Sequence, residues 1–246
     1  MVYLLNSSLS NQSPSSIFRQ PENGDKDLIT HQKPIYNQEL YENDIQTLGL
    51  EKTWHKICDM IYQSQYVDFI DNLGEMYELG LSRVDKHEKK NNGQYFTPPD
   101  IAKIMSQWLI PLHGEKVADI ACGTGNLILS YLQQIGKENA VYLLQSGNLY
   151  LYDIDKTALQ ICLASIAMRY GKENIQNIHI ICGDFLHKHF RLPENCKVIC
   201  NPPYAKLDIN NNYKPSKILL ESKEYFSAFM EKIITQSVSS VIITPY

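Results

Sequence analysis

Apolar and polar positions follow two different rhythms along the chain, and the changes of rhythm mark the expected elements. Residues 6 to about 35 are rich in Ser, Asn, Gln and Pro with few apolar anchors, which is typical of a flexible arm over residues 1–35. From Leu50 apolar positions recur at helical spacing, and they predict a helical N-terminal subdomain and linker over residues 36–92. Over residues 93–246 short apolar runs alternate with helical patterns, which predicts an α/β domain.

Five short apolar runs in this last region predict strands. One begins at Lys116, and the others cover residues 149–152, 178–182, 198–200 and 238–244. Between them, helices are expected to bury the apolar positions of residues 127–135 and 159–167, and another helix is expected around residues 223–234. Such alternation favours an open α/β sheet whose ligand lies at the carboxyl edge of the strands.

A further helix is expected just ahead of the first strand. Thr97 is a good N-cap, Pro98 suits the first helical position, and Asp100 suits the first turn. The expected buried face consists of Ile101, Ile104, Met105, Trp108 and Leu109. The cap leaves the preceding Gly93, Gln94, Tyr95 and Phe96 unexplained, because exposed aromatic side chains are costly unless they cover something flat.

A glycine loop follows the first strand. Gly123 and Gly125 let the backbone approach a ligand closely, and the helix after them offers free N–H groups. The third glycine of a dinucleotide-binding loop would fall at Ile128, so a dehydrogenase is disfavoured. Asp119, ahead of the loop, suits a ligand with a positive amino group, and the alternative is an ordinary turn residue.

Acidic residues also follow the second and third strands. Asp153 ends the second strand, where nucleoside-binding α/β folds hold ribose hydroxyls, while the neighbouring Asp155 is better explained as a helix cap. Asp184 can accept from an adenine amino group and Phe185 can stack on its ring; the alternative is a turn aspartate beside a core phenylalanine.

The fourth strand leads into Asn201, Pro202, Pro203 and Tyr204, which we call the ledge. The two prolines have no N–H and fix their own φ, so the Asn201 side chain and the neighbouring carbonyl are preset acceptors. Tyr204 adds a flat face beside them. Acceptors next to a stacking plane suit a planar ligand with an exocyclic amino group, such as a nucleobase taken out of its stack.

Composition narrows the partners and the compartment. The 246 residues carry a net charge of −4, which argues against a chain that holds nucleic acid through a large basic surface of its own. The six cysteines lie in apolar patterns without zinc-ligand spacing, so we expect reduced core thiols and no metal. With no signal peptide and no apolar stretch of membrane-spanning length, a cytoplasmic protein without a membrane partner is expected.

From residue 93 onwards these segments, in this order, resemble the gamma class of S-adenosylmethionine-dependent DNA adenine-N6 methyltransferases, which includes the modification subunits of type I restriction systems. The ledge motif alone is shared with protein glutamine methylases, but together with residues 93–99 it is far more specific. The resemblance implies a Rossmann-like methyltransferase open sheet over residues 93–246.

The resemblance also implies roles for individual residues. Phe96, Thr97 and Pro98 would enclose the methionine part of S-adenosylmethionine, and Asp119 would meet its amino group. Asn201 and the Pro202 carbonyl would accept the hydrogens of a flipped adenine in double-stranded DNA. The implied catalytic residues are Asn201, Pro202, Pro203 and Tyr204. The implied cofactor residues are Tyr95, Phe96, Thr97, Pro98, Asp119, Ala121, Gly123, Gly125, Asn126, Asp153, Asp184 and Phe185.

A complete member of that class continues with further strands and a DNA target-recognition region. The sheet is therefore expected to be incomplete at its C-terminal edge, as in a truncated product, a fragment or one half of a split enzyme that needs a partner subunit to reach DNA. Two other functions stay open: methylation of a protein glutamine or an RNA base, and a noncatalytic role in assembling restriction subunits.

Overall fold

The computed structural model describes residues 97–109, 114–187, 189–206 and 224–244, together with the helical residues Gly74 and Tyr77. The predicted arm, most of the predicted helical subdomain, and Tyr95 and Phe96 lie outside these ranges. The described helices are α1 (Pro99–Trp108), α2 (Asn126–Gln134), α3 (Lys137–Gln145), α4 (Lys156–Tyr170) and α5 (Tyr225–Gln236), with a 3-10 turn at Lys172–Asn174. The strands are β1 (Lys116–Ile120), β2 (Leu149–Asp153), β3 (His179–Cys182), β4 (Cys196–Cys200) and β5 (Ser239–Ile242).

The five strands form one parallel sheet in the order β3-β2-β1-β4-β5. In its register Ile120 lies opposite both Tyr152 and Cys200, so the carboxyl ends of the central strands are level. The five strands and the open α/β sheet expected from the sequence are confirmed by the structure, which shows that the strands are parallel. The order reverses between β1 and β4, and open α/β sheets bind ligands beside such a reversal.

Two apolar clusters cover the two faces of the sheet. Val117 of β1 and Ile199 of β4 face a large cluster that includes buried residues of α1, α2, α3 and α4. Ala118 and Val198, one residue along, face a second cluster formed with Phe229 of α5. Burial on both faces explains why the strands are nearly continuous apolar runs rather than alternating ones.

Helix α1 corrects two predictions. Its N-cap is Pro98, which makes no side-chain capping bond, so the prediction that Thr97 caps the helix was wrong. The helix buries Ala102, Met105 and Ser106, whereas Ile101, Ile104 and Trp108 are exposed. Three of the five residues predicted for the buried face therefore lie on the other side, because α1 turns Ala102, Met105 and Ser106 inward, mainly toward α2.

The thiols agree with the prediction of reduced core cysteines. Within the described ranges Cys122, Cys162, Cys196 and Cys200 are buried, Cys182 is half-buried, and all five are free. Cys58 lies outside these ranges. No helix in the described part of the chain is both long enough and apolar enough to span a membrane.

Candidate active site

Four strand ends bring the predicted site residues to one edge of the sheet. The glycine loop follows β1, Asp153 ends β2, Asp184 follows β3, and Asn201 follows β4. Backbone bonds join these turns: Cys122 N–H donates to the Tyr152 carbonyl at 2.9 Å, and Gly183 N–H donates to the Asp153 carbonyl at 2.8 Å. Residues far apart in the sequence thus form one continuous surface at the order reversal.

The glycine loop has a backbone that few side chains tolerate. Gly123 and Gly125 have φ of 53° and 98°, and Ala121 has φ of 64°, a region that costs most residues about 1–2 kcal/mol. A Cβ on Gly125 would lie 2.5 Å from the Cys162 Sγ, which is far inside contact distance. Glycine at 125 therefore lets the loop pack on α4, and the unusual φ of Ala121 is the kind of local strain found at ligand sites.

Asp153 holds this loop in place. Its carboxylate accepts from Gly123 N–H at 2.6 Å and from Asp155 N–H at 2.8 Å. An ionised carboxylate has about four acceptor positions, so it is a side chain from which ligand hydroxyls can find an acceptor. Asp155 caps α4 as predicted, since its Oδ1 accepts from Thr157 N–H at 2.9 Å and from Ala158 N–H at 3.1 Å.

Asp119 lies beneath the loop inside the sheet and is completely buried. Its Oδ2 accepts from Ile128 N–H at 3.2 Å in the first turn of α2, while its Oδ1 is buried and has no hydrogen-bond partner among the described residues. Burial raises the pKa of Asp119 well above its usual value, and the charge of Asp153 raises it further. Such a carboxyl gains most from a cation placed beside it.

Thr124, in the same loop, has a buried Oγ1 that likewise lacks a hydrogen-bond partner within the described part of the chain. Gly74 approaches it so closely that an added Cβ would lie 2.7 Å from this oxygen. The Tyr77 hydroxyl donates to the Asp155 Oδ2 at 2.8 Å. The helical residues Gly74 and Tyr77 therefore contact the loops after β1 and β2, a contact that the sequence patterns did not reveal.

The turn after β3 places Asp184 and Phe185 differently. Asp184 is half-buried, and its Oδ1 accepts from Leu186 N–H at 2.9 Å, which fixes the turn. Phe185 is buried, edge-on to Tyr152 with ring centroids 5.7 Å apart and 5.2 Å from the ring of Phe229. The ring of Phe185 is thus packed into the second cluster, and its predicted contact with a nucleobase stays a prediction.

The ledge is tied to the segment that precedes α1. Asn201 Nδ2 donates to the Thr97 Oγ1 at 2.9 Å, and the Tyr204 hydroxyl donates to the Asn201 Oδ1 at 2.8 Å. Thr97 is buried, so its hydroxyl fixes the orientation of the Asn201 amide instead of capping the helix. Burial raises the pKa of Tyr204 to about 12, which keeps its hydroxyl protonated and able to donate. Two predicted motifs, 104 residues apart, therefore share one hydrogen-bond chain.

Lys232 of α5 is a buried residue beside the turn that follows β3, and the sequence patterns did not single it out. Its Nζ donates to the Phe185 carbonyl and, at 2.9 Å, to the His187 carbonyl. Burial lowers its pKa to about 8, with Arg191 contributing in the same direction and Asp184 opposing it. A lysine on the apolar face of a predicted helix, between Phe229 and Ile233, was the available signal.

Comparison with known proteins places this arrangement in a family. A sequence model described as N-6 DNA Methylase matches residues 68–239, more than half of the chain. The chain belongs to the N-6 DNA methylase family. The match spans the glycine loop, the ledge and the helical residues Gly74 and Tyr77, so the candidate site lies within the region that matches the family.

Curated relatives agree with the family. The chain is 29% identical over 151 residues to the type I restriction enzyme MpnII methylase subunit of Mycoplasma pneumoniae, a match that covers 55% of this chain and 26% of the relative. It is 25% identical over 189 residues to the MjaVIII methylase subunit of Methanocaldococcus jannaschii, covering 68% of this chain and 31% of that subunit. The chain thus spans about a quarter to a third of the length of these relatives.

Among solved structures, a cryo-electron microscopy structure of a DrdV–DNA complex superposes with a TM-score of 0.58 at 14% identity. The match covers 81% of this chain and 25% of that one. At this identity the similarity concerns the fold, and it agrees with the open methyltransferase-type sheet.

Proposed function

We propose that this chain carries the catalytic part of a DNA adenine-N6 methyltransferase that uses S-adenosylmethionine, as in the modification subunits of type I restriction systems. The observation that carries the proposal is the Asn201 amide, which Thr97 and Tyr204 fix beside the glycine loop. A fixed acceptor for an amino group, placed next to a nucleoside-type loop, suits transfer to an exocyclic nitrogen.

The residues at the strand ends fit the proposed cofactor. The unpartnered Oδ1 of Asp119 lies under the loop, where a cationic amino group would satisfy it. The Asp153 carboxylate is an acceptor suited to ribose hydroxyls, and the turn at Asp184 offers a half-buried carboxylate for an adenine amino group. When bound, S-adenosylmethionine would supply an electrophilic methyl group on its sulfonium.

On the ledge, the chemistry depends on the acceptors. The amino nitrogen of adenine is a poor nucleophile because its lone pair is delocalised into the ring. Asn201 Oδ1, which accepts from the Tyr204 hydroxyl, can accept two hydrogen bonds and would take one N6 hydrogen, and the Pro202 carbonyl would take the other. Two such bonds draw the nitrogen toward tetrahedral geometry and free its lone pair. Positioning of this kind contributes up to roughly 7–11 kcal/mol in favourable cases.

The adenine has to leave the DNA stack to reach this ledge. Extrusion costs a few kcal/mol, and stacking on the Tyr204 ring, at roughly 1–3 kcal/mol, offsets part of that cost. The Tyr204 hydroxyl bond and the neighbouring Phe226 ring, 6.3 Å away between centroids, hold this platform in place. Because the chain has a net charge of −4, we propose that a partner subunit or a target-recognition region supplies most of the DNA contacts.

Transfer of a labelled methyl group to DNA, RNA and protein, assayed in parallel with and without partner subunits, tests this function. We expect label in DNA, and label only in protein or RNA would replace the proposal with the glutamine or RNA alternative. A chain that binds no S-adenosylmethionine in calorimetry would leave only a noncatalytic role.

Two variants test the ledge itself. Asn201→Ala should abolish transfer while cofactor binding persists. Thr97→Val, which removes the acceptor of the Asn201 amide, should slow transfer by roughly 2–10-fold, the value of one ordinary hydrogen bond. Asn177→Ala is the matched control, since Asn177 precedes β3 at the opposite edge and donates to the Gln145 carbonyl. Undiminished transfer by Asn201→Ala would overturn the assignment.

A further inference from the structure

We propose that Lys232 is a positioning residue of the cofactor site: it holds the turn of residues 184–187 in the shape that receives the adenine of the cofactor. The inference rests on the function proposed above. It adds Lys232, which lies outside the ledge, the glycine loop and the other segments that the sequence patterns singled out.

The Lys232 ammonium binds the turn of residues 184–187 directly. Its Nζ donates to the carbonyls of Phe185 and His187, which flank Leu186 in the turn, and lies 4.7 Å from the centroid of the Phe185 ring. The side chain is 4% exposed, so these bonds are made inside the protein. Hydrogen bonds from a charged donor are stronger than those of neutral pairs, and a cation over a ring face adds attraction.

The Lys232 ammonium is buried in apolar surroundings. Taking a lysine out of water is costly, and the apolar neighbours of Lys232 on α5, Phe229 and Ile233, show that this face packs against the sheet. Asp184 and Arg191 are the charged groups whose fields reach it, and they act in opposite directions. Among the described residues no carboxylate forms a salt bridge with Lys232. Its buried ammonium instead donates to the backbone carbonyls of Phe185 and His187.

The turn of residues 184–187 is also held by hydrogen bonds of its own. Asp184 Oδ1 accepts from Leu186 N–H, and His187 N–H donates to the Asp184 carbonyl at 3.0 Å, so the turn has a defined local shape. Lys232 fixes that shape relative to α5 and therefore relative to the sheet. Without the ammonium, the Asp184 carboxylate would lose the support that aims it at the site.

The other end of α5 adds a consequence for the ledge. Tyr225 N–H donates to the Ala205 carbonyl at 2.9 Å, directly after the ledge. Lys232 lies seven residues further along the helix, a rise of roughly 10 Å. One helix thus joins the ledge to the turn of residues 184–187, which it contacts through Lys232.

The test compares two ligands that share the adenosine part. S-adenosylhomocysteine and 5′-methylthioadenosine are titrated by calorimetry into the wild-type chain and into Lys232→Met, which keeps the length and apolar packing of the side chain but removes its donors. We expect both affinities to fall by the same factor, roughly tenfold or more, because two charge-assisted bonds are lost. Lys197→Met is the matched control, since Lys197 lies near the amino end of β4 and pairs with Glu115 at 2.7 Å; it should change neither affinity.

The outcomes separate the two proposals. If the wild-type chain binds neither ligand, the proposed function fails. If the wild-type chain binds both and Lys232→Met binds them equally well, the positioning role fails while the function stands. A loss confined to S-adenosylhomocysteine would also overturn the positioning role, because it would place the effect at the amino acid part.

A measurement on the unsubstituted protein covers the case in which Lys232→Met does not fold. Hydrogen exchange of the Leu186, His187 and Phe190 amides should slow when 5′-methylthioadenosine binds, since the turn closes on the adenine. Exchange that the ligand leaves unchanged would overturn the inference.

Discussion

Replacement of Asp153 by asparagine tests how the glycine loop is held. The Asp153 carboxylate accepts from Gly123 N–H at 2.6 Å and from Asp155 N–H at 2.8 Å. Asparagine has the same size but only one acceptor oxygen, so its NH2 group must face one of these two N–H donors. That donor is then left unsatisfied, at a cost of about 1–3 kcal/mol, and the remaining bond loses the contribution of the charge.

One effect acts in the opposite direction. The charge of Asp153 contributes to the raised pKa of Asp119, so a neutral side chain at 153 relieves that repulsion. We expect a net loss of about 2–4 kcal/mol in the free energy of unfolding, equivalent to a melting temperature lower by roughly 5–12 °C for a chain of this size. Affinity for S-adenosylhomocysteine should fall by roughly tenfold or more, since the loop and a ribose acceptor are both impaired.

Thermal unfolding followed by circular dichroism, and calorimetric titration, measure the two quantities. Asp155→Asn is the matched control two residues away, because asparagine caps a helix about as well as aspartate. The control should keep nearly the wild-type melting temperature. An Asp153→Asn variant that melts and binds like the wild type would refute the view that this carboxylate organises the loop.

Two further predictions concern packing and protonation. Gly125→Ala should destabilise the fold by about 1–3 kcal/mol more than Gly136→Ala in chemical denaturation, because both glycines have positive φ but only Gly125 faces a neighbour, the Cys162 thiol; equal losses would show that the clash is relieved. Burial lowers the pKa of Lys232 to about 8, so above that pH the unfolded chain binds a proton that the folded chain lacks. The free energy of unfolding of the wild type should therefore rise relative to Lys232→Met between about pH 8 and pH 10, and a constant difference would contradict the burial of the amine.

The sheet could be predicted from the sequence because its strands are short apolar runs buried on both faces and separated by helical patterns. Helix α3 has no counterpart among the predicted elements, since its buried residues Ala140, Leu143 and Leu144 have helical spacing over little more than one turn, too short a pattern to predict a helix. The buried face of α1 was predicted from large apolar residues, yet the helix turns Ala102 and Ser106 inward. Periodicity alone could not choose between the two faces.

The strand ends of the candidate site could be predicted for the same reason, since the chemistry follows the strands. The bond between Thr97 and Asn201 could not, because local capping rules give threonine before a helix a sufficient local role. Lys232 was missed because long-range burial decides whether a lysine on a helix is solvated or enclosed. Thr97 and Lys232 both act through contacts that form only when segments far apart in the sequence meet.

Nucleoside mass spectrometry of DNA incubated with the chain, its partner subunits and isotope-labelled S-adenosylmethionine tests the central claim most directly. The Asn201 acceptor held by Thr97 and Tyr204 predicts that the label is recovered as N6-methyldeoxyadenosine and is absent with Asn201→Ala. Label recovered on a cytosine, or on adenine in equal amount with Asn201→Ala, would contradict the account.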